Sequence, residues 1–427
     1  MGSSPAPAVV SVLSELEQHV DDLVASACDV VRLPSVSGTD GENEAQALMA
    51  ALMSAGGLDV DHWRIDLDRL RADPAFPGME VERSEAWGLV GRLPGTGEGP
   101  ALMLNGHIDV VPIGDPGAWP IDPFGGTVAD GRMYGRGACD MKAGLVAAYW
   151  AVQAVRRSGV RLRGDLLLAS VQGEEDGGLG TFATLDRGWR ADACVIPEPT
   201  SLDIIPANSG ALTFRLHVRG LATHAARRDE GVSAIDKFWP IWQALAQLEQ
   251  QRHRHVDPLV ARWSLAHPIS IGCVRAGDWA SSVPDLLVAE GRLGVAIGES
   301  VEHARGELEQ AVAEACAADA WLRDHPVEVE WWGGQFASGR IAADSDLVDR
   351  VRDARSAVDR SGTSDVYGAP YGSDLRLLTG LGGIPTVQYG PGDARLAHGP
   401  HESVDLDEVV TTARTLAALA IDICGVA

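Results

Sequence analysis

The sequence has little cysteine and no long apolar run. Its six cysteines are scattered without a Cys-x-x-Cys pair, so we interpret them as reduced, mostly buried thiols. No stretch is long and apolar enough for a transmembrane helix. The N-terminal segment lacks a basic region before an apolar core, so we expect no secretory signal. These absences predict a cytoplasmic protein.

Positive charge is scarce as well. Lysine and arginine number 35 against 60 aspartates and glutamates, which gives a net charge of −25. Such a balance argues against nucleic acid or an anionic membrane as a partner, but not against a small-molecule substrate. The Gly-x-Ser-x-Gly elbow of serine hydrolases and the phosphate-binding loop that ends in Lys-Ser/Thr are also missing, so both chemistries are disfavoured.

The length predicts two domains, since 427 residues exceed one ordinary core. Apolar runs alternate with helical periods at both ends of the chain, which is typical of an α/β fold with a mixed, largely parallel sheet between helices. Between these parts, half-exposed strand patterns and long helices indicate a smaller α+β domain. We therefore expect a discontinuous α/β domain at 1–210 and 327–427, with an α+β domain inserted at 211–326.

Three local expectations accompany this division. Residues 1–7 look like a loose terminus, and the apolar period over 9–31 predicts a helical segment. Asp405 is expected to cap the closing helix, with Glu408 completing a capping box.

The most informative stretch runs from residue 101 to 142. An apolar run predicts a buried strand that ends at His107 and Asp109, and Asp140 precedes a helix after a glycine-rich turn. His107 can bind a metal while Asp109 bonds its other ring nitrogen, and Asp140 can bridge two ions. A surface loop is the alternative interpretation of His-x-Asp alone.

Further candidate ligands follow later predicted strands. Glu174 and Glu175 are adjacent, so one can bind metal while the other faces substrate as a proton acceptor. Glu198 and His398 add a carboxylate and an imidazole, although each piece alone fits an ordinary polar turn or loop, and His401 could compete with His398. Mixed nitrogen and oxygen ligation favours two Zn²⁺ ions, with Co²⁺ or Mn²⁺ as substitutes.

Taken together, the chain resembles the di-zinc metallopeptidase and deacylase family of acetylornithine deacetylase, succinyl-diaminopimelate desuccinylase, aminoacylase and carboxypeptidase G. The resemblance covers nearly the whole chain, and its combined pattern is specific although single pieces are weak. The matching stretches are Asn105–Val110, Gly135–Lys142, Glu174–Glu175, Glu198–Thr200, Gly220–Ala225 with Gly231, Val283–Pro284, Gly372–Asp374, Gly390–Gly392, and His398 followed by Glu402.

The resemblance implies a role for each matching residue. Asp140 would bridge the two ions and precede a cis peptide bond at Asp140–Met141. His107 and Glu198 would complete one ion, and Glu175 and His398 the other. Glu174 would be the general base, and Asp109 would orient His107.

The resemblance also implies that the inserted domain is a lid and dimerisation module, which makes a homodimer the expected state. Its His224 would stabilise the oxyanion in the neighbouring subunit. Arg292 would meet a substrate carboxylate or serve only a structural role, and Gly372 and Ser373 would offer donors to that carboxylate. Departures from the family pattern, such as Arg228 where proline is usual, lie in substrate-facing segments and affect substrate identity.

We therefore expect a hydrolase that cleaves the amide or carbamate bond of an N-acylated amino acid or related small carboxylate. The reaction would use a metal-bridging hydroxide with Glu174 as general base. A dipeptidase or carboxypeptidase of the same family is the alternative, and a non-catalytic binding protein on this scaffold is another.

Overall fold

A computed structural model describes residues 7–359 and 363–427. The chain divides into two units, which are described separately. The first comprises the described residues of Met1–Pro206, Arg340–Tyr367 and Asp374–Ala427, and the second comprises Ala207–Gly339 and Gly368–Ser373. Of the loose terminus expected at 1–7, residues 1–6 lie outside the described residues, and Pro7 begins a helix.

Helices and strands alternate through much of the first unit, and the elements of both units are numbered together in chain order. The helices are α1 (Pro7–Glu17), α2 (Val20–Val31), α3 (Asp40–Ala55), α4 (Leu67–Arg71), α5 (Ala143–Arg157), α6 (Leu179–Asp186), α7 (Ala234–Arg252), α8 (Val301–Ala318), α9 (Leu347–Val358), α10 (Leu375–Gly380) and α11 (Leu406–Cys424). The strands are β1 (Asp59–Arg64), β2 (Trp87–Leu93), β3 (Leu102–His107), β4 (Thr127–Ala129), β5 (Arg132–Tyr134), β6 (Leu166–Val171), β7 (Ala193–Ile196), β8 (Ala207–Asn208), β9 (Gly210–Arg219), β10 (Ile269–Ala276), β11 (Leu286–Val295), β12 (Glu328–Phe336), β13 (Gly339–Arg340), β14 (Thr386–Gln388) and β15 (Ser403–Asp405).

The first unit contains a six-stranded sheet in the order β1-β2-β6-β3-β7-β14. The pairs β6–β3, β3–β7 and β7–β14 are parallel, whereas β1–β2 and β2–β6 are antiparallel. The predicted mixed, largely parallel sheet is confirmed. The parallel strands end at one edge of the sheet, which is where open α/β folds place their sites.

Helices cover both faces of this sheet because its central strands are apolar on both sides. Leu102 and Leu104 of β3 point into a core shared with α5 and α11, while Met103 between them joins a second core with α6 and α10. All six residues of β3 are buried. Its first half, Leu102–Leu104, is an unbroken apolar run, which is typical of strands in buried parallel sheets.

A smaller sheet in the same unit joins distant parts of the chain. Its order is β15-β5-β4, and β15 pairs antiparallel with β5. The pairing places Ser403 opposite Tyr134, so the segment after His398 lies beside the start of the turn that carries Asp140.

The second unit has an antiparallel sheet in the order β10-β11-β9-β12, with α7 and α8 packed against it. Its core includes Phe214 and Leu216 of β9, Ile241 of α7 and Leu308 of α8. Strand β12 pairs with β9 and belongs to this unit. The expected boundary at 326/327 is therefore too early, because it leaves out a strand whose partner lies in the inserted domain.

Two local predictions are corrected. The segment 9–31 forms two helices separated at Gln18 and His19, although Leu16 and Leu23 are both buried and the apolar period continues across the break. Asp405 does cap α11 by accepting from Asp407 N–H, but Glu408 accepts from Gly392 N–H and forms no capping box. No helix among the described residues is long and apolar enough to cross a membrane.

Candidate metal centre

His107 is the last residue of β3 and is 1% exposed. Its Nδ1 lies 2.9 Å from the backbone oxygen of Asp109, which can only accept, so Nδ1 carries the hydrogen. Its Nε2 lies 3.0 Å from Asp140 Oδ1 and 3.9 Å from Glu198 Oε2. Burial disfavours the charged ring, but the carboxylates of Asp140, Glu198 and Asp109 raise the pKa of His107 overall.

Asp109 holds the ring by a different atom than expected. Its carboxylate Oδ1 is 3.8 Å from His107 Nδ1, beyond hydrogen-bond distance. The carboxylate instead accepts the backbone N–H of Glu174 and of Glu175, each at 3.2 Å, and the hydroxyl of Ser37 at 3.1 Å. The backbone carbonyl therefore orients His107, and the carboxylate orients the turn that carries the two glutamates.

Asp140 lies where the ligand groups meet. Its Oδ1 is 3.0 Å from His107 Nε2, and its Oδ2 is 3.4 Å from His398 Nε2. Burial opposes ionisation, but hydrogen bonds from these two imidazoles lower the pKa of Asp140. The peptide bond between Asp140 and Met141 is cis, as expected from the resemblance.

Glu175 and His398 complete the second side of the centre. His398 Nε2 lies 3.1 Å from Glu175 Oε2, and hydrogen bonds to Asp140 and Glu175 raise the pKa of His398 to about 11. The other carboxylate oxygen, Glu175 Oε1, is buried and has no hydrogen-bond partner in the described part of the chain. A cation held at this group would supply the partner that the buried acceptor lacks.

The structure thus brings the five predicted ligands together in two groups that share Asp140. Within each group the candidate ligand atoms lie within 4.8 Å of one another. The groups are His107, Asp140 and Glu198, and Asp140, Glu175 and His398. Imidazole and carboxylate donors of this kind, together with the unpartnered Oε1, fit two divalent cations.

Glu174 belongs to neither group. It is 7% exposed. It lies in the turn after β6 and immediately precedes Glu175 in the sequence. Burial and the neighbouring Asp374, Glu198 and Glu175 raise the pKa of its carboxyl, although His107 opposes the shift. A carboxylate beside the ligand groups but outside them is placed to exchange protons.

Sequence comparisons fit this geometry. A family model described as peptidase family M20/M25/M40 matches residues 103–422. The chain belongs to this family. It is therefore a metallohydrolase of the M20/M25/M40 type.

Two curated relatives of the chain carry deacylase names. An N-formyl-4-amino-5-aminomethyl-2-methylpyrimidine deformylase of Bacillus subtilis (strain 168) is 27% identical over 444 residues, which cover 98% of each chain. A succinyl-diaminopimelate desuccinylase of Cereibacter sphaeroides (strain ATCC 17029 / ATH 2.4.9) is 29% identical over 347 residues, covering 71% of this chain and 84% of the relative.

Solved structures show the same fold. The di-peptidase Dug1p from Saccharomyces cerevisiae superposes with a TM-score of 0.76 at 15% identity, covering 96% of this chain and 97% of that one. At this identity the likeness supports the M20/M25/M40 fold alone.

The four predicted substrate residues lie in the second unit. His224 is exposed and its Nδ1 accepts from Ala226 N–H at 3.1 Å. Arg292 lies on β11 with its guanidinium carbon 5.7 Å from the Phe336 ring centroid. Gly372 packs so closely on Phe336 that an added Cβ would lie 2.8 Å from it, and Ser373 is buried. Their roles toward substrate stay predictions.

A third group of acidic and histidine side chains is less suited to a metal. Glu299, His303 and Glu307 lie close together in the second unit. Arg252 already forms ion pairs with both Glu299 and Glu307, so its guanidinium offsets part of their negative charge. His401, the predicted competitor of His398, belongs to none of these groups among the described residues and is exposed.

Sequence reasoning missed a buried ion network next to the centre. Arg83 contacts Glu42 Oε2 at 2.9 Å and Asp176 Oδ2 at 2.8 Å, and all three side chains are almost fully buried. Asp176 directly follows Glu175, but the sequence presents it only as part of an acidic turn. An arginine far from that turn in sequence gave no signal of the pairing.

Proposed function

We propose that this M20/M25/M40 hydrolase cleaves the amide bond of a small N-acylated substrate with a two-metal centre. One observation carries the proposal: Glu174 is a buried carboxylate beside two ligand groups that share Asp140, and it belongs to neither group. A protein that only bound a ligand would not need such a group.

The metal assignment follows the donor atoms. His107 and Glu198 would hold one ion and Glu175 and His398 the other, with Asp140 between them. We propose Zn²⁺ as the ion, with Co²⁺ or Mn²⁺ as substitutes, because the donors are imidazoles and carboxylates without thiolate. When bound, the ions would supply Lewis acidity to the substrate carbonyl and lower the pKa of water.

The protein's own residues would move the proton. Glu174 would accept a proton from the water whose oxygen attacks the carbonyl carbon, and would then deliver it to the leaving nitrogen as the C–N bond breaks. The Asp109 carboxylate fixes the backbone of Glu174 through a 3.2 Å hydrogen bond, so the base is held in place. The Asp109 carbonyl meanwhile keeps the His107 ring in one tautomer.

The substrate class is proposed from the relatives. One is named for removing a formyl group and the other for removing a succinyl group from an amine-bearing compound. We propose that this chain likewise acts on an N-acyl compound, with His224, Arg292, Gly372 and Ser373 as its substrate contacts.

We also propose that the second unit forms a homodimer. Three large apolar side chains on α7 are exposed: Ile235 at 52%, Trp239 at 61% and Trp242 at 44%. Their spacing puts them along one face of the helix. An apolar face of this kind is typical of an interaction surface. The cytoplasmic location stays a prediction.

A substrate panel tests the reaction. The zinc- or cobalt-loaded protein is incubated with N-formyl, N-acetyl, N-succinyl and N-carbamoyl amino acids, with N-formyl aminopyrimidines and with dipeptides, and products are followed by mass spectrometry. Cleavage confined to N-acyl compounds supports the proposal. Cleavage confined to dipeptides would favour the peptidase alternative, and no cleavage with two ions bound would favour a binding protein.

A further inference from the structure

The carboxylate of Glu402 organises the turn that carries Asp140. Glu402 is 1% exposed, and its Oε1 accepts three backbone N–H groups, from Gly137 at 2.8 Å, Cys139 at 3.1 Å and Asp140 at 3.2 Å. Gly137 has a φ of 82°, and an added Cβ there would lie 2.6 Å from Val110. A single oxygen therefore fixes the path of the backbone around the shared candidate ligand.

Arg136 connects this turn to the second imidazole. The guanidinium is 2% exposed and donates through Nη1 to Glu402 Oε2. Its Nη2 donates to the backbone oxygens of His398 at 3.2 Å and Pro112 at 3.3 Å. The Trp119 ring covers it with its centroid 5.2 Å from the guanidinium carbon. Arg136 thus binds the segment of His398 and the carboxylate that holds the Asp140 turn.

His398 depends on such support. Its φ of 61° lies in the left-handed region that residues other than glycine seldom occupy. The contact from Arg136 to its carbonyl holds this conformation while Nε2 lies 3.4 Å from Asp140 and 3.1 Å from Glu175.

A contribution to folding stability does not account well for the buried ion pair between Arg136 and Glu402. A buried pair loses much of its Coulombic gain to desolvation, so it stabilises a fold little compared with apolar residues. The hydrogen bonds of Arg136 and Glu402 go instead to the backbone of two ligand-bearing segments. Groups that orient metal ligands in this way typically change metal affinity about 10- to 100-fold when they are removed.

We propose that Arg136 and Glu402 are positioning residues that set metal affinity at this centre. Glu402 acts through Asp140, which belongs to both groups. Arg136→Lys keeps a cation beside Glu402 but removes the donor to the His398 carbonyl, so it acts through His398, which belongs to one group. This inference rests on the metal binding in the proposed function.

The test measures metal binding directly. Metal-free wild-type, Arg136→Lys and Glu402→Gln proteins are titrated with Zn²⁺ against a chromophoric chelator, and Co²⁺ absorption spectra report the ligand geometry. Arg132→Lys is the matched control, because Arg132 lies in the neighbouring strand β5 and its hydrogen bonds go to Ser403. Circular dichroism confirms that each variant is folded.

The expected pattern separates the two residues. R136K lowers the affinity for one of the two ions by about 10- to 100-fold and leaves the affinity for the other near the wild-type value. E402Q lowers the affinity for both ions, and R132K changes neither affinity. If E402Q does not fold, R136K decides alone.

Two results overturn the inference. One is a folded R136K protein that binds both ions with the wild-type affinity. The other is an R136K protein whose affinity for both ions falls by the same factor. A wild-type protein that binds fewer than two ions would instead contradict the proposed function.

Discussion

His267 shows how one buried side chain can make stability depend on pH. It is 1% exposed in the second unit, and its backbone N–H donates to His253 Nε2 at 3.1 Å. Burial, together with Arg252 and His253, lowers the pKa of His267 to about 4 from 6.5, although Glu299 opposes the shift. The folded protein therefore holds this ring neutral at a pH where the unfolded chain would protonate it.

The sign of the effect follows from proton binding. Between about pH 6.5 and pH 4 the unfolded chain binds a proton at His267 that the folded chain does not, so the free energy of unfolding falls as pH falls. The loss attributable to this residue is at most about 3 kcal/mol. Urea denaturation at pH 7 and pH 5 should show a smaller pH effect in His267→Gln than in the wild type. Exposed His303→Gln should keep the wild-type difference, and equal pH effects in all three would contradict the assignment.

Asp109 illustrates what the sequence can and cannot predict about a single residue. The His-x-Asp spacing correctly indicated that Asp109 would lie against His107. The spacing could not decide whether the carboxylate or the backbone carbonyl of Asp109 accepts the hydrogen bond from His107, because both groups can reach the ring across two residues. The choice depends on Glu174 and Glu175, whose N–H groups occupy the carboxylate and are distant in sequence.

At the scale of elements, the turn after β6 is held by the network of Arg83, Glu42 and Asp176. Arg83 binds Glu42 through Nε and Nη2, at 2.9 and 3.0 Å, and Asp176 through Nη1 at 2.8 Å. Its Nη2 would lie 3.2 Å from a Cβ added at Gly173, so the guanidinium also packs on the turn that leads into Glu174.

Removing the Arg83 guanidinium should destabilise the folded protein. Arg83→Met leaves two carboxylates buried without their partner, which should lower the free energy of unfolding by about 3–5 kcal/mol. Urea denaturation measures the change. Arg71→Met is the control, because its partner Glu82 is 93% exposed and such surface pairs contribute about 0–1 kcal/mol. A loss below about 1 kcal/mol for R83M would show that the network does not hold the turn.

Elements were predicted well where apolar patterns set them. The helix after Asp140 and the strands that lead to His107, Glu174 and Glu198 lie where the sequence indicates. Each contains an apolar run that is buried in the core, and such runs are visible in the sequence. The break between α1 and α2 could not be found in this way, since the buried positions keep their period across it.

At the scale of the whole molecule, the convergence of ligands was predictable from strand direction. Strand β3 ends at His107, and the segments after β6, β7 and β14 carry Glu174 with Glu175, Glu198 and His398. These parallel strands end at one edge of the sheet. The link between the Asp140 turn and His398 was not predictable, because it depends on contacts of Arg136 and Glu402 across distant segments.

The proposed dimer gives a prediction at the same scale. Trp239→Lys places a charge on the exposed apolar face of α7 and should shift the protein from dimer to monomer in light scattering coupled to size-exclusion chromatography. Leu381→Lys, a change of a 48% exposed residue in the first unit, should leave the dimer intact. A monomeric wild type, or a W239K protein that stays dimeric, would contradict the proposed interface.

The central claim is that Glu174 moves the proton while the ligand groups hold the ions. Glu174→Gln keeps the shape of the side chain and removes its basicity. We expect kcat on a substrate from the panel to fall about 100- to 10,000-fold. Exposed Glu82→Gln serves as the control and should turn over like the wild type.

The decisive measurement is therefore turnover of E174Q alongside its metal content by elemental analysis. The account predicts two ions bound and activity nearly lost. Two ions bound with unchanged turnover would contradict it.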